Sequence, residues 1–404
     1  MTHSDRLKRN LLGMAILTCI CTGLYLNLSQ HPRHTMPVSA AGSPTPWPSA
    51  VWSCPPYNLD CNIGYMDPIL CECVTPTPGP TPTPPPPTAT PLAYGPKGIG
   101  DPWQNWQAPN PGTNIDALDF DWYYDWRVSY VPARETDPRY VRTVWCWQSD
   151  TSNIVTAASA DFANGIRGRV WLVLNEPDHP TGQCGAISPN DLSGTINENP
   201  EYAARYFSDI YDMIKSADPH ARVFGGGLVF LNTQEAQNWW QDFVSTLQAD
   251  SDLYKLEGVH VHLYPLGTTS PEWTNIAYTE CDDAADGYCV PALAQVANQW
   301  YQDMHVGLGL GDRPIWITEM GRHCYGGATS TSWVRDNAMI PMAQWFAQDP
   351  AWPYSQVALN PGYDAVSWFA TYFSYTGTCH RLLDSLGSSG TPTVLGQFWN
   401  SYQP

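Results

Sequence analysis

The sequence has little positive charge. Its 404 residues include 19 Lys and Arg against 38 Asp and Glu, which gives a net charge of −19 at pH 7. No basic cluster lies beyond the first ten residues. Because duplex nucleic acid and anionic lipid surfaces are bound largely through Lys and Arg, this composition argues against both as partners. At about 150 residues per domain, the length suits two or three domains, or one α/β barrel with additions.

Phenylalanine is also scarce, with 10 residues, whereas Trp and Tyr number 19 and 22. The aromatic excess therefore falls on the two rings that carry a polar group, and these rings suit a hydrated surface on which a ligand stacks. A packed core also uses Trp, so composition alone leaves both roles open.

The N-terminal 40 residues have the features of an export signal. Arg6, Lys8 and Arg9 precede residues 11–28, an uncharged and mostly apolar run that would be about 27 Å long as a helix. Val-Ser-Ala at 38–40 resembles a cleavage site, but it lies well past the apolar run. We expect residues 1–40 to be a signal peptide or a membrane anchor, with cleavage left open. The rest of the chain is then expected outside the cell, either secreted or anchored at the cell surface.

The 12 cysteines fall into three groups. Two lie in the apolar run, and the exported part holds a group of four in residues 50–74 (Cys54, Cys61, Cys71, Cys73) and a group of six further on (Cys146, Cys184, Cys281, Cys289, Cys324, Cys379). Even numbers in an oxidising compartment predict disulfides. The spacing does not determine the pairing, and Cys324 with Cys379 is one candidate. A zinc site in the group of four is the alternative, which its C-x6-C-x9-C-x-C spacing does not favour.

Residues 75–91 read TPTPGPTPTPPPPTATP, with nine prolines in 17 residues, and cannot build a packed core. Such a sequence is typical of extended polyproline II, and 17 residues would span roughly 50 Å. This segment predicts a linker between the small four-cysteine segment at 50–74 and a large domain at 92–404.

After residue 92, short apolar runs alternate with helix-like stretches. Eight runs have the length and composition of strands: 96–100, 120–126, 141–147, 170–175, 222–226, 259–264, 315–318 and 365–369. Helical periodicity occurs at 153–164, 201–217, 234–248, 291–304, 333–348 and 393–402. The alternation predicts an α/β fold, a closed (β/α)8 TIM barrel. An open doubly wound sheet is the alternative, but no G-x-G-x-x-G follows any of these strands.

Two glutamates follow predicted strands directly. Glu176 comes after the fourth strand in Asn175-Glu176-Pro177, and Glu319 ends the seventh strand. The carboxyl ends of barrel strands meet at one mouth, where such folds hold their sites. Two facing carboxylates suit glycoside hydrolysis, in which one protonates the leaving oxygen and the other attacks carbon or activates water. A helix start at 175–177 and a surface carboxylate at 319 are the structural alternatives.

With these motifs, residues 95–402 resemble a clan A retaining glycoside hydrolase. The resemblance implies that Glu176 is the acid/base, that Glu319 is the nucleophile and that Asn175 binds the sugar 2-hydroxyl. It also implies that no cofactor and no metal are needed.

Within the clan, the chain is similar to the Asl-like endo-β-1,3-glucanases of glycoside hydrolase family 128. The similarity lies in short stretches at the predicted strands, namely Asn-Glu-Pro-Asp at 175–178, His-Leu-Tyr at 262–264, Tyr-Asp-Trp at 124–126, the Trp pair at 145 and 147, the strand ending at Glu319, and Trp-Phe at 368–369. It implies substrate contacts from His262, Tyr264, Tyr124, Trp126, Trp145, Trp147 and Trp368. Asp125 stands where Asn is expected, Met320 stands where an aromatic residue is common, and the insertion at 265–290 is longer than in the compact family.

His262 and Tyr264 lie two apart, so they share one face of a strand; if that face is inward, both rings lie beside Glu319. A satisfied core histidine is the alternative for His262. Gly225, Gly226 and Gly227 predict a close approach of backbones and not a phosphate loop. Asp282, Asp283 and Asp286 suit either a polar disulfide-closed loop, which we favour, or a calcium site.

The sequence thus predicts a monomeric, exported retaining glycosidase acting on a β-linked polysaccharide, with β-1,3-glucan favoured. The alternatives are another clan A specificity (a β-xylosidase, a β-mannanase or an exo-acting enzyme) and a non-catalytic polysaccharide-binding surface protein. The presence of both glutamates favours catalysis over the last of these.

Overall fold

The computed structural model describes residues 65–67, 72–74, 93–101, 114–129, 135–146, 151–178, 199–229, 231–264, 290–321, 330–349, 360–372 and 379–404. The chain divides into two compact units, residues 1–84 and 85–404. In the first unit, β1 (Tyr65–Asp67) and β2 (Glu72–Val74) form an antiparallel pair. The predicted export signal at 1–40, the bridges of the four-cysteine segment and the linker at 75–91 lie outside the described residues.

Eight parallel strands form the sheet of the second unit. They are β3 (Lys97–Gly100), β4 (Trp122–Tyr124), β5 (Arg142–Val144), β6 (Val170–Val173), β7 (Arg222–Leu228), β8 (Gly258–Leu263), β9 (Ile315–Met320) and β10 (Ala365–Phe369). They pair in the order β4-β3-β10-β9-β8-β7-β6-β5. The ring closes between β4 and β5, where the Val141 N–H donates to Tyr123 O at 2.8 Å and the Tyr123 N–H donates to Arg139 O at 3.1 Å. The predicted (β/α)8 barrel is confirmed, and each strand lies within a few residues of its predicted position.

Helices alternate with these strands. They are α1 (Ser152–Ala163), α2 (Pro200–Ala217), α3 (Gln234–Ala249), α4 (Val290–Trp300), α5 (Thr331–Val334), α6 (Ile340–Phe346) and α7 (Val394–Ser401). A π-helical turn extends α4, and another joins α5 to α6. Polar side chains cap the starts of α2, α3, α5 and α7, as where Asn199 accepts a hydrogen bond from the Tyr202 N–H ahead of α2. In the described part of the chain, no helix combines the length and apolarity needed to cross a membrane.

The strands separate two apolar layers. Because successive strand residues point to opposite faces, Trp171 and Val173 of β6 belong to the outer layer under the helices, whereas Leu172 belongs to the barrel interior. Large rings fill that interior, and the centroids of Trp122 and Trp316 lie 4.7 Å apart. A filled barrel is solid core and not a pore, so its chemistry is left to the carboxyl ends of the strands.

A buried ion cluster joins α1 to two strands. Asp161 of α1 accepts hydrogen bonds from Nε and Nη2 of Arg142 on β5 at 2.7 and 2.8 Å, and its Oδ2 lies 2.9 Å from Nε of Arg169 before β6. All three side chains are at most 1% exposed. Backbone carbonyl groups accept further guanidinium hydrogens, as Val128 O does from Arg142. The cluster therefore fixes α1 against the barrel wall.

Two cysteines of the barrel unit are described, Cys146 after β5 and Cys379 after β10, and both are disulfide-bonded. The other four, and the acidic residues at 282–286, lie outside the described residues. The pairing of Cys379 with Cys324 therefore stays a prediction.

Candidate active site

Glu176 lies on a tight turn at the carboxyl end of β6. Leu174 and Glu176 both have positive φ, 76° and 49°, a conformation uncommon for residues with a side chain. The Glu176 N–H donates to Gly227 O on β7 at 2.8 Å. This bond holds the turn against the neighbouring strand while the carboxylate, 14% exposed, reaches the barrel mouth.

Glycines on β7 make this close approach possible. A Cβ on Gly227 would lie 3.0 Å from Cα of Asn175, and a Cβ on Gly226 would lie 2.5 Å from His260 O. The predicted close approach of backbones at 225–227 is confirmed. The segment lies within β7, however, and not after it as its sequence suggested.

Glu319 lies on β9 and is held by donors from two other strands. Its Oε1 accepts a hydrogen bond from Trp126 Nε1–H at 2.7 Å, and its Oε2 accepts one from the Tyr264 hydroxyl. Trp126 follows β4 and Tyr264 follows β8. Since an indole N–H can only donate, this contact favours the ionised form of Glu319.

His262 of β8 lies between the two glutamates. Its Nδ1 is 3.1 Å from Glu176 Oε1, and its Nε2 is 3.5 Å from Glu319 Oε1. The ring is 1% exposed. One carboxylate oxygen of Glu176, one of Glu319 and a ring nitrogen of His262 all lie within 4.8 Å of one another. The predicted placement of His262 beside Glu319 is therefore correct, and the structure adds the contact with Glu176.

Burial and mutual charge set the ionisation of these groups. Burial raises the pKa of Glu319, and the opposing charge of His262 does not cancel this, because the nearby charge of Glu176 acts in the same direction as burial. Burial lowers the pKa of His262, but the charge of Glu319 and the hydrogen bond to Glu176 outweigh it, so this pKa is raised. Burial and the charge of Glu319 raise the pKa of Tyr264 well above its ordinary value. The Tyr264 hydroxyl therefore stays a donor.

These three side chains are also the only group in the described part of the chain with the chemistry to hold a metal ion. His262 presents a different nitrogen to each carboxylate. The contacts at 3.1 and 3.5 Å have the lengths of a hydrogen bond and an ion pair, so they form a proton network without an ion.

The structure brings six of the predicted site residues together at the mouth: Asn175, Glu176, His262, Tyr264, Trp126 and Glu319. Asn175 is buried beside Glu176, and its backbone N–H lies 3.4 Å from Cys146 Sγ. Trp126 is half-buried and has a positive φ of 61°.

Two of the residues with predicted sugar contacts are buried in the structure. Trp368 is fully buried in the outer layer, where its Nε1–H donates to His380 O at 3.0 Å and its ring faces Trp399 of α7. Tyr124 is buried in the barrel interior, and its hydroxyl donates to Thr318 O at 2.6 Å. Both side chains are at most 1% exposed, and their predicted contacts with sugar stay predictions.

The two remaining predicted contacts lie after β5. Trp145 is half-buried against the outer layer, and its carbonyl accepts a hydrogen bond from the Tyr206 hydroxyl at 3.3 Å. Trp147 lies outside the described residues, so its role stays a prediction.

Sequence reasoning missed the aromatic residue that does stand at the mouth on β10, Phe369. Its ring meets Trp126 edge to face at 5.5 Å and Tyr264 at 6.0 Å. Strand alternation was the available signal, since Ala365 faces the interior and Phe369 lies four residues later on the same face.

The role of Asp125 was also missed. This buried carboxylate accepts a hydrogen bond from the Tyr140 hydroxyl at 2.6 Å and lies 3.7 Å from Arg127 Nε. Burial raises its pKa to about 7, although Tyr140 and Arg127 oppose the shift. Asp125 directly precedes Trp126, so its contacts fix the backbone from which Trp126 reaches Glu319. Its departure from the expected Asn was the one signal in the sequence.

Comparison with known proteins gives a family match. The family described as "Glycosyl hydrolase catalytic core" matches residues 100–399. No curated protein matches the chain.

Solved structures similar to this chain include three polysaccharide-degrading enzymes. A GH128 (subgroup II) endo-β-1,3-glucanase from Sorangium cellulosum is 15% identical, with a TM-score of 0.44 over 72% of this chain and 94% of that chain. The corresponding enzyme from Pseudomonas viridiflava is 16% identical, with a TM-score of 0.46 over 76% and 98%. A xylanase from Cellvibrio japonicus, a thermostable mutant, is 16% identical, with a TM-score of 0.42 over 77% and 98%.

Proposed function

Because this chain belongs to the glycosyl hydrolase catalytic core family, we propose that it is a retaining glycoside hydrolase that cleaves a β-linked polysaccharide, with β-1,3-glucan as its substrate. The observation that carries the proposal is the proximity of carboxylate oxygens of Glu176 and Glu319, which lie within 4.8 Å of each other. Retaining enzymes place their two carboxyl groups about 5–5.5 Å apart, whereas inverting enzymes keep about 6.5–9.5 Å for a water molecule.

The surroundings of the two glutamates support different roles. Glu319 receives donors from Trp126 and Tyr264, which stabilise a carboxylate that must attack carbon. Glu176 lies on a turn at the mouth and is more exposed than Glu319. We therefore assign Glu319 as the nucleophile and Glu176 as the acid/base.

The reaction then proceeds in two displacements. Glu319 attacks the anomeric carbon while Glu176 protonates the glycosidic oxygen, so the C–O bond breaks and a glycosyl ester forms on Glu319. Glu176, now a carboxylate, accepts a proton from water as that water attacks the anomeric carbon and frees Glu319. Asn175, buried beside Glu176, is assigned the sugar 2-hydroxyl.

The proposed substrate rests on the sequence motifs and on the aromatic residues at the mouth. Trp126 and Phe369, edge to face at 5.5 Å, form part of a wall beside Glu319 on which a sugar ring can stack. The short motifs around His262 and Glu176 resemble those of endo-β-1,3-glucanases. No step of the proposed reaction uses a cofactor.

We also propose that the enzyme is exported and works on extracellular polysaccharide as a monomer. Support comes from the basic residues and apolar run at 1–28, the even cysteine groups and the bonded state of Cys146 and Cys379. Whether residues 1–40 anchor the protein or are removed is tested by sequencing the N-terminus of the mature protein.

The test of function is release of reducing ends by the purified full chain. Separate β-1,3-, β-1,4- and mixed-linkage glucans, xylan and mannan form the panel, and Glu319→Gln is the matched variant. Release from β-1,3-glucan that is lost in the variant supports the proposal. Release from another polymer keeps the reaction and changes the substrate. Binding without release would overturn catalysis in favour of a polysaccharide-binding protein.

A further inference from the structure

Each ring nitrogen of His262 lies near a carboxylate, Nδ1 in a hydrogen bond and Nε2 at ion-pair distance. A neutral imidazole has one N–H donor and one lone pair, and an ionised carboxylate offers only acceptors. With Nδ1 at 3.1 Å from Glu176 and Nε2 at 3.5 Å from Glu319, a neutral ring would therefore turn a lone pair toward one of them. This repulsion between a lone pair and a carboxylate is avoided if the ring is an imidazolium, or if Glu176 holds the proton itself.

Glu319 is the poorer site for that proton. Its Oε1 already accepts from Trp126, and its Oε2 accepts from Tyr264. One mobile proton therefore has two possible sites, Nδ1 of His262 and Oε1 of Glu176, and these two atoms are joined by one hydrogen bond.

We propose that His262 holds this proton in the resting site and passes it through Nδ1 to Glu176 when the glycosidic bond breaks. The inference rests on the proposed function, since it assigns the source of the proton that Glu176 delivers. His262 then acts through Glu176 and is a positioning residue that also stores a proton.

The proton and charge balance closes over the cycle. At rest the site holds two carboxylates and one imidazolium, a net charge of −1. As Glu319 attacks, the Nδ1 proton moves to Glu176, and Glu176 passes a proton to the leaving oxygen in the same step, so that it ends as a carboxylate. The glycosyl ester, the Glu176 carboxylate and neutral His262 again sum to −1. Water then gives its proton to Glu176 and on to Nδ1, and Glu319 leaves as a carboxylate.

A constant charge suits a buried or half-buried site. All three residues lie where ionisation without a partner would be costly, and the relay moves the proton without adding charge to the site. The direct alternative, with the proton resting on Glu176, also balances. The two differ only in the resting place of the proton, which can be measured.

The other titratable groups around His262 do not compete for that proton. His260, two residues earlier on β8, has its ring nitrogens near Thr318 Oγ1 and Val173 O, and burial lowers its pKa to about 3. Asp178 accepts from the Val229 N–H and adds negative charge near His262. Tyr264 after β8 and Tyr124 on β4 keep their protons, since burial raises both pKa values.

The first test observes the ring directly. The full wild-type chain is labelled with ¹⁵N-histidine, and the ring nitrogen shifts are followed from pH 5 to 8 without substrate. We expect His262 to be doubly protonated at pH 6, while His260 on the same strand stays neutral as the internal control. A neutral His262 at pH 6 overturns the proposal. This readout needs no turnover, so it separates the proposal from the assigned function: a wild-type protein that releases no sugar from any polymer refutes the function alone.

The second test uses His262→Gln, which keeps a donor but cannot hold the proton. When two groups share one proton, the apparent pKa of the pair exceeds that of either group alone. The basic limb of kcat/KM should therefore move to lower pH by about one unit. Loss of proton delivery should lower kcat/KM by about 100-fold on polysaccharide. The decrease should be much smaller on an aryl glycoside, whose acidic leaving group departs without a proton.

A purely structural role for His262 predicts a different result. Activity would then fall by the same factor on both substrates, with both pH limits unchanged, and that outcome would overturn the proposal. If the variant does not fold, the shifts of the wild-type ring still decide the question.

Discussion

Trp126 and Glu319 come from opposite ends of the barrel sequence, yet Nε1 of the indole lies 2.7 Å from Oε1 of the carboxylate. The indole reaches this position from a residue with positive φ directly after Asp125, whose carboxylate is bonded to Tyr140. The nucleophile is therefore held by a residue whose own backbone is fixed from the far side of the β4/β5 seam.

Trp126→Phe should lower kcat/KM by about 10- to 100-fold, because it removes a hydrogen bond to a charged group worth about 1.5–3 kcal/mol. Steady-state kinetics on the polysaccharide and an aryl glycoside measure the loss. Trp240→Phe is the matched control, since it removes a buried indole hydrogen bond, to Met304 O at 3.0 Å, away from the mouth. Equal losses of activity per folded molecule in both variants would contradict the role of Trp126.

The first sugar product should carry the β configuration. Carboxylate oxygens within 4.8 Å leave no room for a water molecule between acid and base. Proton NMR of the anomeric region distinguishes a β from an α product, provided that enough enzyme is used for hydrolysis to be faster than mutarotation. Early appearance of the α anomer would mean inversion and would refute Glu319 as nucleophile.

Asp125→Asn should stabilise the fold increasingly as the pH rises. Burial raises the pKa of Asp125 to about 7, above its unfolded value near 3.9, so the folded state holds a proton that the unfolded state has lost in this window. The contribution of Asp125 to stability is thus present below about pH 4 and is lost as the pH rises to about 7. Its upper bound is about 4 kcal/mol.

Urea unfolding of wild type and Asp125→Asn at pH 4.5 and 8 checks this sign. The variant should gain free energy of unfolding relative to wild type between the two pH values. A difference that does not change with pH would mean that Asp125 is ionised in the folded protein.

Asp161→Asn should destabilise the barrel by about 3–5 kcal/mol, because it leaves Arg142 and Arg169 buried without their anion. Asp250→Asn provides the control, since its ion pair with Arg205 is 42% and 61% exposed and should contribute at most about 1 kcal/mol. Denaturant midpoints of the two variants measure the contrast. Similar small shifts in both would show that the cluster is replaceable by hydrogen bonds alone.

Much of the fold was readable from the sequence, because each buried parallel strand is a short apolar run between polar segments. The same rule placed Glu176 and Glu319, since both follow such runs directly. Trp368 shows the limit of the motif resemblance, which pointed to this residue. Strand alternation along β10 gives the other answer, since Val366 and Trp368 lie in the outer layer and Ala365 lies in the interior, on the same face as Phe369.

The contact between His262 and Glu176 could not be predicted from the sequence. It depends on positive φ at Leu174 and Glu176 and on glycines of a different strand. The conformational propensity of a residue does not predict a backbone conformation that is imposed by a neighbouring strand. The proton network was therefore visible only once β6, β7 and β8 had been assembled.

The junction between β4 and β5 has the fewest paired residues of any junction in the barrel. Seven of its junctions are ladders of several paired residues, whereas this one rests on a single bridge at Tyr123 and Tyr140 with a few flanking bonds. Local opening starts where pairing is thinnest, and Tyr140 also holds Asp125 across this gap. The contacts of Tyr140 with Asp125, and of Trp126 with Glu319, thus link the most thinly paired junction of the barrel to the nucleophile.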